Sequence, residues 1–317
     1  MGEKSKKIGE IGEKIVEEFF SIIGWFDPLS NQPLDCMNSK KHARSSSKKG
    51  LRETHGIDLL YSYKSQLESN TVISVLASVK NSDNAYKNNP KADFKSHIED
   101  LAQALECYRN SELKSEQKLQ FNGVTKDRDT GVIFWLSSHD DTYDDVVSKI
   151  NNVRLDSDLE FDCIHIVDNK RIDFVYDVMT WLKSEFNDKI INYYYPETSL
   201  SYIDKSIKRY GNTLPVEFLT SPVLPFIIKD ENPEKNDVFC IASIDGFDKD
   251  SLTRLIQAAR EYTHEVTCDY LFLFPNYVPS QHEQSVIKAK RVFDKDISKH
   301  ITVKSFRPDY RSLSNGK

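Results

Sequence analysis

From residue 7 to residue 24, apolar side chains recur at three- and four-residue spacing. Ile8, Ile11, Ile15, Val16, Phe19, Phe20, Ile22 and Ile23 alternate with Glu10, Glu13, Lys14, Glu17 and Glu18. This period predicts an amphipathic helix, with Gly24 as its stop. Glu13 and Glu17 fall one turn apart on its polar side, where a solvated acidic stripe is the plain alternative to a functional role. The helical period then stops. Residues 29–37 carry Leu34 and Cys36 near Pro28 and Pro33, which suits a short edge segment. Residues 38–53 show no period and are rich in serine and lysine, as in a loop. Residues 57–63 and 72–80 are rich in β-branched and aromatic side chains and predict two strands joined by a polar hairpin-type connection.

Farther on, Phe94, Ile98, Leu101, Ala102, Leu105 and Tyr108 form one stripe of a helix over 94–109. Residues 131–137 are apolar without alternation, as expected of a strand covered on both faces. The pattern continues with a helix at 146–153, a strand at 161–167, a helix at 172–186 and a strand at 190–195. A polar stretch then leads to Gly211-Asn212, a reasonable boundary between a domain over 1–210 and a second over 211–317. After a proline-punctuated run at 214–228, strands at 238–244, 270–274 and 301–306 alternate with helices at 249–262 and 283–293. That alternation predicts α/β architecture in this half too. The pair Gly9-x-x-Gly12 sits inside a helical pattern and lacks the preceding strand of a dinucleotide fingerprint.

A chain of 317 residues can bury a large core in one or two domains. Hydrophobic content of 38% and charged content of 29% are those of a soluble globular protein. No apolar run approaches the ~20 residues of a membrane span, and the basic start leads into an amphipathic helix rather than a secretory leader. A cytoplasmic protein is expected. The net charge of −6 weighs against a polyanion partner. Its distribution weighs the other way, because Lys40, Lys41, Arg44, Lys48, Lys49 and Arg52 occur together without a carboxylate. Such a segment suits DNA phosphates, or simply a solvated loop. Five scattered cysteines without a CxxC pair read as small buried hydrophobes in a reducing compartment. His55, His97 and His139 show no zinc-site spacing. His55 suits a turn or hydrogen-bonding role, or contact with a substrate phosphate.

One pair of residues gives this pattern a chemical reading. Asp58 enters the first apolar run and Lys80 closes the next, so neighbouring strands can bring a carboxylate and an ammonium into one site. Strand alternation sends Ser78 and Lys80 to the site face, and Ala77 and Val79 to the core. Phosphodiester hydrolysis needs a hard cation on oxygen ligands, and a nearby cation to stabilise the attacking water's developing charge.

The order of helix with Glu13, short strand, strand with Asp58, strand ending in Ser78-Val79-Lys80, helix and strand resembles the PD-(D/E)xK nuclease core over residues 7–137. The resemblance implies a restriction-endonuclease-like mixed sheet flanked by helices, followed here by a second α/β region. It implies Asp58 and Glu13 as ligands of Mg²⁺ and Lys80 as the water-positioning cation. Ser78 stands where that pattern has an acid. Gln103, with Tyr108 five residues on, follows the QxxxY of some nucleases only loosely. The segments Gly2–Glu10, Thr54-His55-Gly56-Ile57-Asp58, Phe94-Lys95-Ser96-His97, Trp135-Leu136-Ser137 and Phe306–Arg311 resemble the a-subunit family of two-gene GAPS-type antiphage systems. That resemblance implies a defence protein acting on double-stranded DNA in complex with a second nuclease-like subunit. Two functions are open at this stage: a Mg²⁺-dependent DNA endonuclease, or a DNA-binding scaffold with a decayed site that supports an active partner.

Overall fold

The structure, a computed structural model, describes residues 2–43, 50–139, 145–201, 208–232, 236–263 and 269–309. Arg44, Lys48 and Lys49 of the expected DNA-binding segment lie outside the described residues. The elements run α1 (Gly2–Ile22), β1 (Leu29–Asp35), β2 (Thr54–Lys64), β3 (Thr71–Ser82), α2 (Lys91–Tyr108), α3 (Glu112–Leu119), β4 (Lys126–Ser137), α4 (Val146–Lys149), β5 (Cys163–Asp168) and α5 (Asn169–Glu185). There follow β6 (Ile190–Tyr194), β7 (Tyr210–Gly211), a 3₁₀ turn (Val216–Thr220), β8 (Val223–Lys229), β9 (Val238–Ser243), α6 (Lys249–Tyr262), β10 (Asp269–Phe274), α7 (Pro279–Lys290), α8 (Lys295–Ser298) and β11 (Ile301–Ser305).

Two units result, one of Met1–Asp173 with Pro215–Thr220 and the other of Phe174–Leu214 with Ser221–Lys317. The first is built on a five-stranded sheet ordered β1-β2-β3-β4-β5. Strand β2 pairs antiparallel with β1 and β3, whereas β3, β4 and β5 run parallel. This is the mixed sheet flanked by helices expected from the sequence. Both faces are covered. Phe134 of β4 meets Phe19 and Phe20 of α1, with ring centroids 6.1 and 5.7 Å apart. Its neighbours Ile133 and Trp135 join Ile98, Leu101, Leu105 and Tyr108 of α2 in a separate core cluster. Alternation along β4 therefore places α1 and α2 on opposite faces, which explains the unbroken apolar run of that strand. The 3₁₀ turn belongs to this unit through Val216, whose amide donates to the buried Tyr63 hydroxyl at 2.8 Å.

The second unit has a six-stranded sheet ordered β11-β10-β9-β8-β6-β7. Strands β9, β10 and β11 are parallel, and β8 pairs antiparallel with both β9 and β6. Its core joins Phe239, Ile241, Phe272 and Phe274 to Leu252, Ile256 and Ala259 of α6 and to Val286 and Ala289 of α7. The expected boundary at 210/211 is thus replaced by a division after Asp173, because β6 pairs with β8 in the second sheet. The proline-punctuated run at 214–228 conceals the 3₁₀ turn and β8. Pro225 lies one step beyond the paired residues Tyr193 and Phe226, where β8 has a partner only on the β9 side. A missing amide hydrogen is tolerated there.

Candidate functional site

The first unit sets its chemistry within β2, at the point where its pairing with β3 stops. The register runs Lys64 opposite Val72 through Leu59 opposite Ala77, and one further step brings Asp58 opposite Ser78. There the aspartate side chain replaces the ladder, its Oδ2 accepting a hydrogen bond from the Val79 amide at 2.6 Å. That bond fixes the carboxylate and satisfies one strand-end donor. Lys80 follows two residues after Ser78, about 7 Å along the strand. As expected, Ala77 is buried; Val79, expected in the core with it, is only half-buried, like Ser78 and Lys80.

Helix α1 delivers the second acid. Gly12 allows its close approach: a Cβ there would stand 2.4 Å from Cβ of Asn81. The Asn81 amide group donates to the carbonyl of Ile8 at 3.0 Å, tying the helix to the end of β3. Glu13 is the next residue after this contact. Its carboxyl is held above the usual carboxylate range, first by partial burial and then by the Asp58 charge, with Glu17 adding to the effect. The Asp58 charge therefore reaches Glu13 although 45 positions separate them in the chain (58 minus 13). Strand β1 supports both helix acids. Asn31 adopts a left-handed backbone (φ 53°), which asparagine tolerates better than most residues. The Asn31 amide group lies 3.5 Å from Glu13, and the Ser30 hydroxyl donates to Glu17 at 2.8 Å. Neither Ser30 nor Asn31 stood out in the sequence, where a short polar edge strand carries no periodic signal.

Lys80 aligns with Trp135 in the parallel β3–β4 register. The ring of His97, on α2, packs edge-on to Trp135 with centroids 5.0 Å apart. Burial, and then the Lys80 charge, push the His97 imidazolium down to a pKa of about 4. The imidazole is therefore neutral at physiological pH. Among the described residues Lys80 forms no hydrogen bond or ion pair, so its ammonium is available to an anion.

The basic segment divides. Lys40 is exposed. Lys41 bonds Glu106 at 2.9 Å and lies 3.6 Å from Glu160. Arg52 does not face outward as a phosphate contact should. It is 8% exposed, pairs with Asp100 at 2.9 Å, and donates to the side chain of Gln103 at 3.0 Å and to the carbonyl of Thr54 at 3.1 Å. A buried guanidinium needs several acceptors, and α2 supplies them. Gln103 thus helps hold Arg52, and Tyr108 lies in the core. His55 is also buried, turned toward His42, Cys36 and Cys107 rather than toward solvent.

The arrangement combines two mutually repelling carboxylates, a neutral serine oxygen and an uncommitted ammonium at one end of a mixed sheet. Residues 1–171, almost all of the first unit's main segment, match the family described as the GAPS4 protein PD-(D/E)XK nuclease domain. No curated protein and no solved structure gives a match to the chain.

Proposed function

The chain belongs to the GAPS4 PD-(D/E)XK nuclease domain family, and from that footing we propose that it is a Mg²⁺-dependent DNA endonuclease subunit of a bacterial antiphage defence complex. The observation that carries this reading is geometric: Asp58 of β2 is bonded to the Val79 amide between Ser78 and Lys80 of β3, and Gly12 lets the helix that bears Glu13 approach Asn81 of the same strand. A carboxylate whose proton affinity is raised by burial and by the charge of a neighbouring acid suits a hard divalent cation, which would neutralise both charges. Asp58 and Glu13 would hold the ion, with the Ser78 hydroxyl as a neutral oxygen nearby. When bound, it would supply charge neutralisation at the phosphate and a more acidic water.

The remaining steps belong to the chain's own groups. Asp58 is oriented by the Val79 amide, so its second oxygen has a fixed direction. The Lys80 ammonium stabilises negative charge developing on the attacking water or the phosphate oxygens. Neutral His97 beside it adds no competing positive charge at neutral pH. Lys40, with Arg44, Lys48 and Lys49, would meet the DNA backbone and set the salt dependence of binding rather than its sequence preference. The second unit would bind the partner subunit.

Ser78 favours a second reading, in which the chain holds DNA as a scaffold and the partner cuts. Plasmid cleavage with Mg²⁺ separates the two, using the chain alone and together with the product of the neighbouring gene. Asp58→Ala and Lys80→Ala abolish cleavage if this chain is catalytic. Variants that cut like wild type in the complex assign the chemistry to the partner.

A further inference from the structure

Four metal-ligating side chains from separate stretches converge inside the first unit. Cys36 directly follows β1, His42 lies in the turn beyond it, His55 is the second residue of β2, and Cys107 is in the last turn of α2. One ligand atom of each lies within 4.8 Å of all the others. Both histidines are 1% exposed, and Cys107 is fully buried. Nδ1 of His42 stands 3.4 Å from Sγ of Cys36 and 3.5 Å from Sγ of Cys107. A tetrahedral ion with metal–sulfur bonds of about 2.3 Å and metal–nitrogen bonds of about 2.0–2.1 Å would separate sulfur and nitrogen by about 3.5 Å. The rings of His42 and His55 meet edge to face with centroids 5.3 Å apart.

We propose that Cys36, His42, His55 and Cys107 form a structural Zn²⁺ site. The surroundings are those of a closed zinc centre. Nε2 of His42 lies 3.2 Å from Oε2 of Glu106, the carboxylate that also accepts from Lys41. A proton on Nε2 donated to that carboxylate leaves the Nδ1 lone pair facing the two sulfurs, the usual outer-shell device for fixing a ligating imidazole. The Met37 amide donates to Sγ of Cys107 at 3.3 Å, an interaction that favours thiolate. Two thiolates and two neutral imidazoles cancel the charge of one Zn²⁺, so the buried group is neutral overall. The nitrogen and sulfur donors also select against Mg²⁺ and Ca²⁺, which take oxygen.

The ion would cross-link β1, β2 and α2, and would clamp the chain on both sides of residues 43–54, which carry Arg44, Lys48, Lys49 and Arg52. Its role is structural, and it stands whether or not the acids at Asp58 cleave DNA.

Metal analysis of the full-length chain, purified without chelator or added metal, tests the site. The wild type should carry about one zinc per chain, as a closed four-ligand site requires. Asp58→Ala should keep it, and the double variant Cys36→Ser/Cys107→Ser should lose it. His42→Cys keeps a four-ligand set and should retain zinc, whereas His42→Ala removes one ligand and should lose it, a pair that covers the case in which the serine variant does not fold. Replacement by cobalt should give the visible absorption of a tetrahedral, thiolate-ligated ion. Zinc-free wild type, a Cys36–Cys107 disulfide in the unreduced protein, iron in place of zinc, or zinc persisting in the double serine variant would each overturn the assignment.

Discussion

Replacing Gly12 by alanine adds one methyl group to α1 at its closest approach to β3. The new carbon would stand 2.4 Å from Cβ of Asn81 and 3.1 Å from its Cγ. Carbon atoms pack best at about 3.5–4.0 Å, so helix and strand must part by about 1 Å. Rotation of the Asn81 side chain cannot relieve the contact, because its Cβ is fixed by the strand backbone. Overpacking of this kind costs about 1–3 kcal/mol. Stretching the 3.0 Å bond from Asn81 to Ile8 costs about 1 kcal/mol more. Helix propensity returns about 1 kcal/mol for alanine over glycine. The net expectation is a loss of about 1–3 kcal/mol, or about 3–9 °C in the melting of a unit of this size. Gly9 supplies the control, since a Cβ there meets nothing within 4 Å. Gly9→Ala should gain about 0.5–1 kcal/mol through the same helix propensity. Thermal and urea unfolding followed by circular dichroism read both. Adding Asn81→Gly to Gly12→Ala removes the opposing Cβ and should restore part of the loss as a non-additive coupling. If Gly12→Ala stabilises the protein as Gly9→Ala does, the helix does not approach the strand as described, and Glu13 loses its route to Asp58.

Three further outcomes follow from the same geometry. Glu13 has a raised proton affinity in the folded chain, so folding takes up a proton near the carboxylate range and stability falls as pH rises through it. Glu13→Gln should therefore be more stable than wild type at pH 7, with the difference vanishing in acid, and Mg²⁺ should stabilise the wild type more than the variant. His97 runs the other way: its folded pKa of about 4 lies below the ordinary value, so the unfolded chain binds more protons and stability falls as pH drops from about 6.5 toward 4. His97→Asn should flatten that part of the stability profile, and an unchanged profile would refute the burial. Lys114 bonds Asp127 and the 5% exposed Asp129 at 2.6 and 2.7 Å, so Lys114→Met strands a buried carboxylate and should cost about 3–5 kcal/mol at pH 7. Acidification should recover part of that loss as Asp129 protonates; equal destabilisation at every pH would locate the effect elsewhere.

Much of the first unit was legible because its signals are local. The 3.6-residue period of α1 and α2 and the β-branched runs of β2 and β3 arise from burying one face or both faces of a regular element, and each can be read within one window of sequence. The adjacency of Asp58 and Ser78 follows from two strands joined by a short connection. Elements whose cues conflict with their environment were hidden. The proline run masked β8, and polar α3, held at its start by the Ser111 side chain accepting from the Lys114 amide, has too weak an apolar stripe to announce itself.

By itself, the sequence determined most helices and strands of the nuclease unit, their order, and which strands carry Asp58, Ser78 and Lys80. Tertiary structure alone decided how distant residues are used. It turned Arg52 from a phosphate contact into a buried partner of Asp100, moved the unit boundary by pairing β6 with β8, and let Gly12 seat Glu13 beside Asp58. It also gathered Cys36, His42, His55 and Cys107, spread along the chain, around one point. The physical reason is common to all four: periodicity records which face of an element is buried, whereas charge pairing and ligand geometry depend on what the fold brings against that face.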